Sequence, residues 1–297
     1  MKNQLLKTGG LFIETKHSLI CQFPEPRLVL STSSYNGGFL MADAIFNHCI
    51  SRVQADFDTE HSSFVSSFEE ASNDLLNFAV MNGFNCERIT GLLSNTKVDR
   101  HGYSAFYFQD TLIEVIATAV IGTNAMRAGE HGEDSNRDCA FNDAINLLVL
   151  TNAQIAEGNM VKALLTITEA KSAALQELAV INSCTLSPAT GTGADGIIFA
   201  TNPTAKVFCN DVGTQSLFGE ALACAVKTAL KESLAMESKI IPWRQSRAEE
   251  RLWRLGMDEI CSADLPFSTA KAQVILIFCQ AVWQEYCWGL LGIDGLY

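Results

Sequence analysis

Apolar residues fall in short bursts near the N-terminus and in longer helical stripes further along. Residues 10–31 hold three bursts, GLFIET, SLICQF and RLVLST, bounded by charges and by Pro24 and Pro26, and they read as two or three short strands. Asn36-Gly37-Gly38 then makes a turn from residues that tolerate positive φ. Phe39, Ala42, Phe46, Cys49 and Ile50 recur at helical spacing, which predicts a helix after that turn. Residues 51–72 are polar and read as a loop leading into a helix near 69–82. Between 86 and 121 the chain reads as successive strands, because Tyr103, Ala105 and Tyr107 alternate and LIEVIATAVIG is rich in β-branched residues. Gly122-Thr123-Asn124-Ala125 closes that run as a tight turn. AINLLVL (144–150) is a continuous apolar run of strand length, and a helix is predicted from about 157 to 178. Strands near 196–200 and 206–210 lead into a last helix over about 215–236.

This order predicts an α+β or α/β class for residues 1–236, with a layered mixed β-sheet and packed helices. Residues 237–297 hold all four tryptophans and read as a C-terminal helical extension, broken at Pro242 and over 262–268. A chain of 297 residues with 48% hydrophobic and 18% charged positions can bury a sizeable core and does not have the composition of a disordered protein. Acidic residues outnumber basic ones 33 to 21, and a net charge of -12 argues against a nucleic-acid partner. Arg244, Arg247, Arg251 and Arg254 share a helical face, but Glu249 and Glu250 lie beside them, so local pairing is expected.

The ten cysteines stand singly with no C-x-x-C pair, which excludes a zinc ribbon and suggests a reducing compartment. The N-terminus has no apolar segment of secretion-signal length, and the apolar stretch 272–291 is interrupted by Gln280, Gln284 and Glu285. A cytoplasmic location without a membrane span is therefore expected. The five histidines show no ligand spacing, so no histidine metal site is predicted. His48, placed on the helix expected after the Asn36 turn, is the histidine of most interest.

No G-x-S-x-G elbow, H-E-x-x-H, Walker loop or G-x-G-x-x-G opening a helix is present. ATGTGADG (189–196) has three glycines and two threonines in eight positions, so its backbone can approach a ligand or simply turn tightly. In the predicted 157–178 helix, Met160, Leu164, Ile167, Ala174 and Leu178 form an apolar stripe that includes Lys171. A lysine there is a positioned base, an anchor for a carboxylate or an oxyanion donor, or else a snorkelling side chain. Thr168, three residues earlier, is placed to pair with it as a hydroxyl nucleophile with an amine base. Glu169 lies toward the polar face with Lys162 and Ser172, where solvation is its default. Asp195, after the glycine loop, is a candidate to orient a donor or to cap the next element.

Several phrases together resemble the adenosylcobinamide amidohydrolase family of corrinoid salvage. They are VLSTSSYNGG (29–38) followed by Asn47-His48, TAVIGTNAMRAG (118–129), AINLLVLTNAQIAEGNMVKALLTITEAKSAALQEL (144–178), ATGTGADGI (189–197) and Gly219-Glu220. They run in order over roughly residues 10–236, and TEAKSAAL followed about a dozen residues later by ATGTG is the most specific element. The resemblance implies cleavage of the aminopropanol amide of adenosylcobinamide to give adenosylcobyric acid, with the corrinoid as substrate and no cofactor. It assigns no nucleophile or base, and the residues expected to carry catalysis are Lys171, Thr168, Asp195 and Glu169. Substrate contacts are implied at Asn36, Gly37, Gly38, His48, Thr123, Asn124, Thr190, Gly191, Thr192, Gly193 and Glu220.

Two phrases depart from the family pattern. Gln215-Ser216-Leu217-Phe218 stands where the family usually shows His-x-Lys before Leu-Gly-Glu, and GLLSNTK (91–97) replaces a GLMTAA-like phrase. A corrinoid-binding carrier or sensor is therefore an alternative expectation, and the threonine-rich core offers another, a threonine-nucleophile acyltransferase or peptidase. Metal dependence and homo-oligomerisation are left open by the sequence.

Overall fold

A computed structural model describes residues 2–49, 68–94, 97–121, 124–130, 144–182, 185 and 187–240. The N-terminal strands are β1 (Lys2–Leu5), β2 (Leu11–Glu14), β3 (Ser18–Ser31) and β4 (Gly38–Cys49). Helix α1 (Phe68–Met81) precedes β5 (Ile89–Ser94), a short 3-10 turn (Val98–Arg100), β6 (Gly102–Phe108) and β7 (Thr111–Ala119). The two-residue strand β8 (Ala125–Met126), then β9 (Ile145–Thr151) and helix α2 (Glu157–Glu177), lead to β10 (Gly191–Thr192), β11 (Gly196–Thr201) and helix α3 (Leu217–Glu237).

One mixed sheet organises these elements. Its order is β1-β2-β3-β11-β9-β7-β6, with β4 on the other edge of β3 and β5 beyond β4; β9–β11 and β4–β5 are the parallel pairs. The long strand β3 is the hinge of the sheet, because Leu19–Gln22 pairs with β2 whereas Leu28–Ser31 pairs with β11. Between these halves the register against β4 shifts, from Gln22 to Arg27, at the stretch that contains Pro24 and Pro26. The prolines therefore mark a bulge that bends the strand and do not end it.

The bend curls the sheet over itself into layers. Ile145, Leu147 and Val149 of β9 face α2 and α3, while Leu148 and Leu150 pack with Leu19, Val29, Ile45 and Leu92 from the β3–β5 arm. Ala44, Phe46 and Ile89 cover the outer face of that arm against Leu75 and Ala79 of α1. Strand β9 is thus apolar on both faces because both are covered, which accounts for its unbroken run of buried residues.

The class is α+β, and the helices near 69–82, 157–178 and 215–236 form as expected. Three expectations are corrected. The helix expected after the Asn36 turn does not form: Gly38–Cys49 is β4. The apparent helical spacing arises because this strand is buried on both sides, with Ile45 and Cys49 toward the inter-sheet core and Ala44 and Phe46 toward α1. Of the two or three short strands expected over 10–31 two form, and the second, β3, runs unbroken for fourteen residues through the prolines. The stretch 206–210 forms only an isolated bridge, between Phe208 and Gln154. The C-terminal extension from 241 onward, including the arginine stripe and the tryptophans, lies outside the described residues.

Candidate active site

Lys171 lies on the inner side of α2 at 8% exposure, among Ile167, Ala170, Ala174 and Leu175 of the helix's buried stripe. Its ammonium forms an ion pair with Asp195, which sits in the turn between β10 and β11. Both side chains are about nine-tenths buried, at 10% and 12% exposure, so this pair is shielded from solvent where surface pairs are screened.

The carboxylate of Asp195 is gripped from several sides. Its Oδ1 accepts the Thr192 hydroxyl at 2.6 Å and the Ile145 backbone N–H at 3.2 Å, and the Thr192 N–H lies 3.1 Å from Oδ2. These donors hold one end of the carboxylate on the sheet while Lys171 holds it from the helix, so its position is fixed from two layers. Gly191 is required here for space: a Cβ at that position would lie 2.2 Å from Asp195 Oδ2 and 2.7 Å from Lys171 Nζ. The glycine-rich phrase lets the β10 backbone press against the ion pair.

The ribbon that carries Gly191 and Thr192 pairs with β8 through Met126 and Ala125. Thr190 anchors it, taking the Ala128 N–H on its hydroxyl at 2.9 Å and the Ser172 hydroxyl on its carbonyl at 3.1 Å. Gly193, at the tip of the turn, is exposed, and Thr192 is half-buried, so one side of the constellation is open to solvent.

Next to Asp195 lies a polar chain between the layers. Asn146 donates to the Asn47 side chain at 2.9 Å and to the Leu93 carbonyl at 2.6 Å, and Asn47 donates to the Thr118 hydroxyl at 2.6 Å. Asn47 and Asn146 are nearly inaccessible, at 1% and 2% exposure, yet their amides are paired, as buried polar groups must be. They tie β4, β5, β7 and β9 together beside the strand ends that carry Ile145 and Gly196. Sequence reasoning did not select Asn146 or Thr118; the available signal was a single amide interrupting the apolar run AINLLVL.

The remaining predicted residues make bonds of their own. Thr168 and Glu169 are exposed on α2, and the Thr168 hydroxyl donates to the Leu164 carbonyl at 2.8 Å, so the structure does not bring Thr168 to Lys171. Helical neighbours three apart share a side of the helix, but Lys171 extends inward while Thr168 bonds back to its own backbone. Asn36, at φ 51°, bonds the carbonyls of Cys86 and Ile89 and so shapes the turn beneath Gly37 and Gly38.

His48 lies on strand β4, not on a helix. Its Nδ1 is 2.7 Å from the Ser18 hydroxyl and its ring packs on Phe78, and burial pushes its pKa down. Glu220 is exposed in the first turn of α3, beside the Ser216 side chain that caps that helix. Asn124 is half-buried before β8, and Thr123 lies outside the described residues. Among the described residues no cluster of His, Cys, Asp and Glu is arranged to hold a metal, and no helix is long and apolar enough to cross a membrane.

Comparison with known proteins gives a match to the family model for adenosylcobinamide amidohydrolase over residues 5–242. An uncharacterized protein of Methanocaldococcus jannaschii is 30% identical over 255 residues, covering 79% of this chain and 92% of that protein. Among solved structures, a Pyrococcus horikoshii protein, PH0078, aligns over 79% of this chain and 83% of its own at 10% identity and a TM-score of 0.38. A Burkholderia sp. beta-aminopeptidase aligns over 79% and 82% at 12% identity and a TM-score of 0.35. Both structural likenesses are too loose to bear on the chemistry of this chain.

Proposed function

Because the chain belongs to the adenosylcobinamide amidohydrolase family, we propose that it hydrolyses the amide joining the aminopropanol arm of adenosylcobinamide to the corrin ring, releasing adenosylcobyric acid. The observation that carries this reading is the buried Lys171–Asp195 pair held against the glycine-rich turn, in the part of the sequence that most resembles the family. Amide hydrolysis needs a fixed acceptor for the proton of the attacking oxygen, a cation or donors near the developing oxyanion and a proton for the departing amine. Asp195 supplies the acceptor, and Lys171 the nearby positive charge. Gly193 leaves one side of the turn uncovered, where a bulky substrate can approach.

A second reading rests on Gln215-Ser216-Leu217-Phe218, where the resemblance leads one to expect His-x-Lys. Here Ser216 caps α3 through the Gly219 N–H at 2.9 Å and Gln215 is exposed, so no imidazole or amine is supplied from this element. A corrinoid-binding protein without turnover would tolerate that loss. Incubation of the purified chain with adenosylcobinamide separates the two: equimolar adenosylcobyric acid and aminopropanol by mass spectrometry support the hydrolase. A retained corrinoid spectrum with unchanged substrate supports the binder.

A further inference from the structure

We propose that Thr192 is the nucleophile of this site, so that amide cleavage proceeds through a threonine ester; this rests on the amidohydrolase reading above. Thr192 has its hydroxyl aimed at the carboxylate, donating to Asp195 Oδ1 at 2.6 Å while accepting the Ala194 N–H at 3.3 Å. One donor and one acceptor bond leave the second lone pair of the oxygen for attack. Lys171 pairs with the other carboxylate oxygen, so ammonium, carboxylate and hydroxyl stand in line, each touching the next.

A carboxylate accepting from a residue three positions earlier also closes a turn. Turn closure alone needs neither a buried lysine behind the carboxylate nor a glycine whose missing Cβ makes room for both groups. The other nearby hydroxyls bond backbone groups and not a carboxylate. Thr168 donates to Leu164 on the exposed face, Ser172 donates to the Thr190 carbonyl, Thr190 receives Ala128, and Thr166 donates to the Val212 carbonyl from a buried position. The hydroxyl of Ser18, which faces His48, belongs to a residue only 2% exposed. Thr192 joins an acceptor for its proton with access from solvent.

The steps balance. The Thr192 oxygen bonds to the amide carbon as its proton passes to Asp195; the C–N bond then breaks, and Asp195 returns the proton to the departing amine. Water attacks the resulting ester, giving a proton to Asp195, which passes it to the Thr192 oxygen as the acid leaves. The net reaction is amide plus water to acid plus amine.

The test combines trapping and substitution on the full chain. With adenosylcobinamide and hydroxylamine, the proposal expects a corrinoid hydroxamate. Thr192→Ser should retain turnover within about tenfold, and Thr192→Ala should lose about 10³-fold or more in kcat. Thr192→Ala turning over at more than a tenth of the wild-type rate overturns the proposal, as does acid released with no hydroxamate. Thr192→Ala is checked for folding by circular dichroism, and wild-type protein treated with p-nitrophenyl acetate gives a readout that does not depend on the corrinoid. Acetyl found on Thr192 by peptide mass spectrometry, with adenosylcobinamide left untouched, upholds the nucleophile while removing the proposed substrate. Absence of acetyl on Thr192 together with absence of corrinoid turnover overturns the nucleophile as well.

Discussion

Lys171 shows what a single buried charge implies. Lys171→Met removes the ammonium at nearly constant volume and leaves Asp195 shielded without its cation, which is strongly destabilising for a buried pair, although the Thr192 and Ile145 donors remain. The expected outcome is a folded protein of lower Tm whose kcat falls by about 10²-fold or more, the scale of a lost positioned acid–base or oxyanion group. Steady-state kinetics beside a thermal melt check both parts. Gly191→Ala should cost similar activity with Lys171 and Asp195 both present, since its Cβ would have to displace a carboxylate oxygen 2.2 Å away.

His48 provides a pH prediction. Burial lowers its pKa from the ordinary value of 6.5, so below about pH 6.5 the unfolded chain binds a proton that the folded protein refuses. Its contribution to stability is therefore whole above that pH and declines as pH falls, until the folded ring itself protonates. Urea unfolding at pH 7.5 and 5.5 should show a smaller loss of stability for His48→Gln than for wild type; equal losses would remove His48 from the account. At this scale the sequence was half legible. Lys171 stood out as a charge in an apolar stripe and Asp195 as the acid after a glycine turn, but nothing local said that they touch, because they stand 24 residues apart and only the fold brings helix and turn together.

At the scale of elements, the helices were readable because each is covered on one side and keeps a 3.6-residue stripe. Strand β4 was not, because cores on both of its faces erase the period of two that marks a half-buried strand. The bend in β3 was visible only as two prolines, and its meaning depends on which strands pair on either side of it. Element packing also makes a prediction at Gly102. Strand β6 lies so close to α3 that a Cβ there would be 1.9 Å from the Ala229 carbonyl oxygen and 2.8 Å from the Ser233 nitrogen. Gly102→Ala should destabilise the protein by about 1–3 kcal/mol, as overpacking does, and chemical denaturation measures it directly. A wild-type midpoint would contradict this packing of sheet and helix.

At the scale of the molecule, the curled sheet sets the site at the junction of its two arms, where β9 and β11 begin and the Asn47–Asn146 chain crosses to β4 and β5. The N-terminal arm is fastened separately. Buried Glu114 of β7 accepts the backbone N–H groups of Lys7 and Thr8 and the hydroxyls of Thr8 and Tyr103, while buried Arg27 donates to the carbonyls of Thr8 and Gly9. Glu114→Gln turns one acceptor into a donor facing donors and should lower stability by about 1–3 kcal/mol without changing KM.

Family membership was the most legible property, since the family match over residues 5–242 agrees with the resemblance read from the phrases around Lys171 and the glycine turn. Mass spectrometry of the full chain incubated with adenosylcobinamide tests the hydrolysis itself. Adenosylcobyric acid and aminopropanol in equal amounts are expected, formed about 10²-fold or more slowly by a folded Lys171→Met variant; unaltered adenosylcobinamide after prolonged incubation with wild-type protein would contradict the hydrolase reading.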